Sequence, residues 1–249
     1  MVGMKYKLHL AVAMAAFPLL AAAQGPQGQV PGLSAAMTKL FGDNQAFSAV
    51  ATATILDADG KQTMTMPMNY AVLDGKIRSE VDMTRVKSQG LEGSAANLKQ
   101  MGMDRTISIV RPDQQKVLVI YPSLRAYAEM PATNAAAGNP NAAYKIDSTT
   151  LGKETIDGHP CEKKKVTVSG GDGEKQEAIV WNASDLRNFP VKIEMKQAGL
   201  TTIMAYTDIK FAKPDATVFD PPTGFDKYDS VEKMMQVAIM KLLGTAPQR

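Results

Sequence analysis

From residue 47 onward, apolar and polar positions alternate with a period of two, and the alternation stops only at turn-forming clusters. Phe47, Ala49, Ala51, Ala53 and Ile55 fall on one side of an extended run, with Ser48, Thr52 and Thr54 opposite. Asp57-Ala58-Asp59-Gly60 turns the chain. Residues 62–73 return with Met64, Met66, Met68, Tyr70 and Val72 on one side. Pro67 inside that run argues for an edge or a bulge, because proline donates no N–H to a ladder. Asp74-Gly75 is a hairpin dipeptide whose glycine tolerates the positive φ of a tight primed turn, and residues 76–83 follow as a strand. Residues 106–111 and 116–121 form another hairpin, and residues 125–130 a short strand. In the second half, residues 149–156 and 163–168 flank a turn at Asp157-Gly158-His159-Pro160. Strands at 178–181, 191–195 and 200–211 follow, the last with Ile203, Ala205, Ile209 and Phe211 on one side. This is a meander of antiparallel strands, each with one wet and one dry face.

Five stretches depart from the β pattern. Residues 24–32, rich in Gly, Pro and Gln, read as a disordered lead-in, and Ser34 to Phe41 as a short helix stopped by Gly42. Residues 84–104 contain two helical pieces interrupted by Gly90, Gly93 and Gly102, with Leu91, Leu98, Met101 and Met103 as their apolar set. Residues 131–143 are a low-complexity linker. Ser230 to Leu243 is the clearest helix: Ser230 caps it, Glu232 and Lys241 complement its dipole, and Gly244 and Pro247 end it. Val231, Met234, Met235, Ala238 and Leu242 make an apolar stripe wide enough to require burial.

The first residues carry a secretion signature. Lys5 and Lys7 precede an apolar run from Leu8 to Leu20, and Ala21-Ala22-Ala23 supplies a small-residue cleavage site before Gln24. The run is too short to span a bilayer, so no transmembrane anchor is expected. Residues 1–23 are therefore expected to be removed. Residues 24–45 then form the lead-in and short helix, 46–228 one β domain, and 229–249 a C-terminal amphipathic helix and tail. The precursor has 28 Lys and Arg against 25 Asp and Glu; losing Lys5 and Lys7 leaves 26 against 25. A near-neutral chain gives no footprint for nucleic acid. The single cysteine, Cys161, excludes an internal disulfide.

Candidate chemistry is sparse. Sixteen methionines stand out, three of them alternating as Met64, Met66 and Met68. Thioethers on one strand face serve a deformable apolar cavity, a soft Cu(I) site, or simply a core. His159 and Cys161 lack the further ligands a structural zinc needs and the third group that would orient a nucleophile's base. No metal site, cofactor or catalytic group is expected, and the chain is read as a binding protein rather than an enzyme. Glu162-Lys163-Lys164-Lys165 reads as a solvated edge strand. Asn182-Ala183-Ser184 fits a glycosylation acceptor, which matters only in a eukaryotic host.

Gly152-Lys153-Glu154-Thr155-Ile156-Asp157-Gly158-His159-Pro160-Cys161, the strand ending Trp181-Asn182, Pro190-Val191-Lys192-Ile193-Glu194 and Phe219-Asp220-Pro221-Pro222-Thr223-Gly224-Phe225 occur in an order that resembles the periplasmic lipoprotein-carrier (LolA-like) superfamily. The resemblance covers roughly residues 45–228 and is to its secreted, single-domain members. It implies a mainly β (α+β) fold: an antiparallel half-barrel sheet with helices in or over its concave face. It also implies a periplasmic or extracellular protein that binds an apolar small molecule or lipid. Met64, Met66, Met68, Tyr70, Ile107, Ile109 and Trp181 are then the ligand-cavity candidates, and Leu91, Leu98, Met101 and Met103 the lid candidates. The superfamily's basic latch before proline is missing from the Leu73-Asp74-Gly75-Lys76 turn, which points away from the specific lipoprotein-carrier role. The alternative is an envelope-sensing, protein-interaction module whose cavity is plugged by its own last helix. A Met-rich Cu(I)-binding protein is the third reading.

Overall fold

The computed structural model describes residues 38–88, 93–132, 145–169 and 175–242. The chain divides into two units, 1–31 and 32–249, and only the second contains described residues. The expected signal peptide, the lead-in up to residue 37, Leu91, nearly all of the 131–143 linker and the tail beyond Leu242 lie outside them.

Among the described residues thirteen strands form one sheet. They are β1 (Ala46–Leu56), β2 (Gln62–Leu73), β3 (Lys76–Asp82), β4 (Lys87–Ser88), β5 (Arg105–Arg111), β6 (Lys116–Tyr121) and β7 (Ala126–Pro131), then β8 (Lys145–Ile156), β9 (His159–Ser169), β10 (Lys175–Ala183), β11 (Phe189–Gln197), β12 (Leu200–Lys210) and β13 (Asp226–Tyr228). Two α-helices lie wholly among the described residues, α1 (Ala95–Gln100), between β4 and β5, and α2 (Val231–Leu242), after β13. The order across the sheet is β13-β7-β6-β5-β3-β2-β1-β12-β11-β10-β9-β8, with β4 beside β2. The two ends do not meet, so the sheet stays open, as expected for a half-barrel. All pairings are antiparallel except β13 on β7.

The alternation read from the sequence sets the faces. Residues opposed across a ladder share a face, so the row Ala128–Val119–Ser108–Ser79–Tyr70–Ala49 crosses six strands on one side. All six residues are buried. This inner face is continued by Phe47, Ala51, Met66, Met68, Met204 and Tyr206. At its centre Phe41 inserts among Phe47, Tyr70, Phe189 and Tyr206, with ring centroids 4.8 to 6.2 Å apart. Burial pushes the phenols of Tyr70 and Tyr206 far above their ordinary range, so both stay neutral.

The outer face has its own core. Leu73, Ile107, Ile109, Leu118 and Ile120 pack under Phe219, which is fully buried. Phe219 belongs to the segment between β12 and β13. Arg111 holds that segment down through Asp220, at 2.6 Å, while also binding Asp113 at 3.0 Å.

Local details explain where the sequence pattern bends. Asp74-Gly75 and Asp157-Gly158 adopt φ of 50° and 80°, and 48° and 85°, as a primed hairpin turn requires. Pro67 sits inside the sheet, opposite Thr52. It falls in the gap between the β3 ladder, which ends at Met68, and the β4 ladder, which ends at Thr65, so no neighbour asks for its missing N–H. The dry side of β12 is Met204 and Tyr206, not the Ile203 and Ala205 set. Among the described residues of 84–104 one α-helix forms, the six-residue α1; the described part of the earlier piece is a 3₁₀ turn at Met83–Arg85 followed by β4. The Glu162–Lys165 run is not an edge: β9 lies between β8 and β10, and its lysines pair across strands with Glu154 and Glu177 and along the strand with Glu162.

Candidate functional site

A pocket of about 280 Å³ opens where α1, β7, β13 and α2 converge on the inner face. Met101 and Met103 enter from the segment after α1, Leu124 and Ala126 from the start of β7, Tyr228 from β13, and Met234 and Ile239 from α2. No charged side chain lines it.

Each wall follows from local chemistry. Ser230 caps α2 by accepting from the Lys233 N–H at 3.1 Å, which sets the helix phase. That phase buries Val231, Met234 and Met235 and leaves Glu232, Lys233 and Gln236 in solvent. The segment after α1 is fixed at its C-terminal end. Met103 N–H donates to Leu98 O at 2.8 Å, Met83 N–H to Asp104 O at 2.8 Å, and Ser123 Oγ to the Asp104 carboxylate at 2.7 Å. Gly102 makes this close approach possible. Its φ is +69°, and a Cβ there would lie 2.5 Å from Leu124 Cδ2.

The lid candidates Met101 and Met103 therefore line the pocket, and Leu98 is buried beside them at the end of α1. The cavity candidates do not form one group. Met66, Met68 and Tyr70 lie buried on the inner face, with Met64 half-buried further along β2. Ile107 and Ile109 point to the opposite face, into the core under Phe219. Trp181 also faces outward. It lies opposite Lys192 and Lys163, whose ammonium groups stand 4.3 and 4.9 Å from its ring centre, and its Nε1–H donates to Glu154 at 2.7 Å. A strand buried on both sides, such as β5, gives no parity signal, which is why Ile107 and Ile109 could not be assigned from alternation alone. Leu124, Tyr228 and Ile239 are walls that the sequence reading did not select; the apolar stripe of the last helix was the only signal for that side of the pocket.

A second concavity, about 620 Å³, lies on the outer face beside β1, β2, β3 and the end of β12. Arg78, Glu80, Asp208, Lys210 and Asn69 line it. Burial lowers the Arg78 guanidinium's pKa, and Glu80, bonded to it at 2.7 Å, offsets part of that cost. This groove is larger but open and carries charged side chains, so it offers less to an apolar ligand than the smaller, uncharged pocket.

Elsewhere, His159 Nδ1 lies 2.8 Å from Asp185, and Cys161 donates to His159 O at 3.3 Å. Burial pushes the Cys161 thiol up, which works against a reactive thiolate. Among the described residues no group of three or more His, Cys, Asp or Glu side chains could hold a metal ion, and no helix is long and apolar enough to cross a membrane.

No family model matches the chain, and no curated protein matches it in sequence. Among solved structures the chain is similar in fold to a LolA superfamily protein from Nitrosomonas europaea, with 12% identity over 74% of this chain and 93% of that one and a TM-score of 0.40. It is similar to the Mycobacterium tuberculosis lipoprotein LppX at 10% identity, over 70% and 93% of the two chains, with a TM-score of 0.37. It is also similar to the Pseudomonas aeruginosa MucA/MucB complex at 14% identity, over 75% and 60%, again with a TM-score of 0.37.

Proposed function

We propose that this is a secreted, non-catalytic binding protein that holds a slim apolar ligand, a single acyl chain or a molecule of similar width, between α1 and α2. The observation that carries the reading is the uncharged, methionine-rich wall of the 280 Å³ pocket. Methionine side chains adapt to ligands of varied shape at little rotameric cost. Burying roughly eight methylenes supplies about 6 kcal/mol before the cost of association is counted. A longer chain needs more room than the pocket has, and α2 is the element to supply it. Among the described residues that helix packs chiefly on the end of the sheet, at β7 and β13, so its outward movement leaves the centre of the sheet in place.

Native mass spectrometry of the protein taken from its own host, followed by solvent extraction, tests this directly. A lipid-sized mass that passes into organic solvent supports the carrier reading, and a copper-sized increment supports the metal reading instead. Ala238→Trp, which fills the pocket from α2, is expected to weaken binding of a fluorescent fatty acid at least tenfold. Undiminished binding by a folded variant refutes the site.

A second reading is favoured by one observation: Met234 and Met235 are 1% and 3% exposed, as befits a permanent plug in a module that binds another envelope protein. Deleting residues 230–249 separates the two. A plug, once removed, raises binding of apolar dyes, whereas a carrier loses a wall and binds its fatty acid less well.

A further inference from the structure

One end of the sheet is closed by a three-residue strand and α2, but the other ends at β8. The first eleven of the twelve residues of β8 are exposed, including Ile146 at 45% and Leu151 at 52%. One of its edges pairs with β9, and among the described residues no strand pairs with the other. Such an edge presents a row of unpaired backbone N–H and C=O groups, a template for one more strand.

The residues along β8 determine which strand fits. A bulge between Thr150 and Gly152 interrupts the ladder, so the faces exchange there. Ile146, Ser148, Thr150, Lys153 and Thr155 lie on the face of Val166 and Val168, and Lys145, Asp147, Thr149, Gly152 and Glu154 on the face of Trp181. We propose that β8 pairs antiparallel with β8 of a second copy of this chain about a two-fold axis at Thr149, joining two sheets edge to edge. In this register Thr149 meets its own counterpart and Ser148 meets Thr150. Leu151 remains in its bulge, Asp147 meets Gly152, Ile146 meets the Lys153 stem, and Lys145 meets Glu154. Every opposed pair lies on one face, and the two-fold axis makes the Lys145–Glu154 pair twice. With the axis at Thr150 the faces still match, but Asp147 then opposes Glu154 twice. With the axis at Ser148 the strands overlap less, and Lys145 reaches only Gly152. Charge therefore favours the Thr149 register over these two. Lys145 is free to turn to the second copy, because its present partner, Asp147, is its neighbour on the same strand, with both side chains more than half exposed.

This surface is independent of the pocket between α1 and α2, so neither reading depends on the other. Sedimentation velocity of the full chain across a dilution series tests the dimer. The expected result is a reversible dimer whose dissociation constant rises roughly tenfold in Lys145→Glu and recovers in part when Glu154→Lys is added, only in part because that change also removes the Lys163 and Trp181 contacts of Glu154. Thr149→Cys is expected to form an intermolecular disulfide, since opposed Cα atoms of a ladder lie about 5 Å apart. Ser148→Cys, which meets Thr150 rather than itself, does not. Circular dichroism checks that each exposed-site variant is folded. A chain that remains monomeric at every concentration overturns the proposal. So does a dimer that is indifferent to Lys145→Glu, or one that Thr149→Cys fails to cross-link.

Discussion

The two ends of the sheet are built from the same kind of hairpin, yet β5 and β6 are buried on both faces while β8 is bare on both. In β5 every residue from Ile107 to Arg111 is buried, and in β6 every residue from Leu118 to Tyr121. In β8 only Ile156 is even half-buried. The difference lies in what covers the strands. The chain after β12 returns to the first end, lays Phe219 over the outer face of β5 and β6 and then turns α2 onto the neighbouring β7 and β13. Nothing comparable reaches β8 among the described residues. Strands of one sheet thus acquire opposite character from a cover that is supplied elsewhere in the sequence, and their composition follows: near-continuous Ile, Val and Leu where the strands are covered, and Ser, Thr, Lys and Asp where they are not.

The strongest way to break this contrast is to remove the outer cover. Phe219→Ala is expected to cost about 3–5 kcal/mol, because a fully buried ring leaves a cavity over Ile109 and Leu118 that the sheet cannot close. Urea unfolding followed by far-UV circular dichroism measures it. A loss near that of a surface substitution would mean the strap is ornamental and β5 is stabilised from the inner side alone.

How far the sequence foretells this architecture depends on whether a signal is local. Alternation in residues 47–55 and 62–73 placed β1, β2 and their shared inner face correctly, because each strand there has one dry side. The hairpin dipeptides Asp74-Gly75 and Asp157-Gly158 were equally plain, since positive φ is a demand that a single residue pair satisfies. Cover was not legible. Nothing near Ile107 announces that Phe219 will lie above it, and nothing near Lys163 announces that β8 will take the edge. The family resemblance made Trp181 a cavity candidate. Its actual partners are two lysines and a glutamate on neighbouring strands, a set that only the register brings together.

The inner cover gives the next effect. Gly102→Ala puts a methyl group 2.5 Å from Leu124 at a φ of +69°, so both sterics and backbone conformation oppose it. The expected cost is about 1–3 kcal/mol, together with weaker binding of an apolar probe as the methionine wall is pushed out of place. Adding Leu124→Ala relieves the clash but not the φ strain. Partial recovery of stability is the expected result, and full recovery would show that the φ strain contributes nothing.

The clasp that holds the outer strap is weaker, because its acids face solvent. Arg111→Ala is expected to cost about 1 kcal/mol after screening, measured at neutral pH. Its pH dependence has a definite sign. The Arg111 guanidinium holds the Asp113 carboxyl below its ordinary range. A carboxyl depressed in the folded state contributes stability above its unfolded pKa, about 3.9, and loses that contribution as pH falls through the lower folded value. The stability gap between wild type and Arg111→Ala is therefore expected to narrow below about pH 4. A gap that stays constant would assign the arginine's role to packing of its stem rather than to charge.

The smallest effect tests the bare end itself. Trp181 is 3% exposed although among the described residues no segment is laid over it, and the Lys192 ammonium stands 4.3 Å from its ring centre. Lys192→Ala removes one cation–π contact, worth about 0.5–1 kcal/mol at a partly exposed site. It also opens one flank of the ring to water. As the only tryptophan in the chain, Trp181 reports this without labelling. Acrylamide quenching is expected to rise and the emission to move to longer wavelength, while unfolding shifts only slightly. Unchanged quenching would mean that the ring is sealed by the Lys163 and Glu154 side, so that β9 and β8 bury it from one direction. The uncovered half of the sheet would then have a minor core of its own, made of side chains reaching across strands, where the other half depends on segments laid over it.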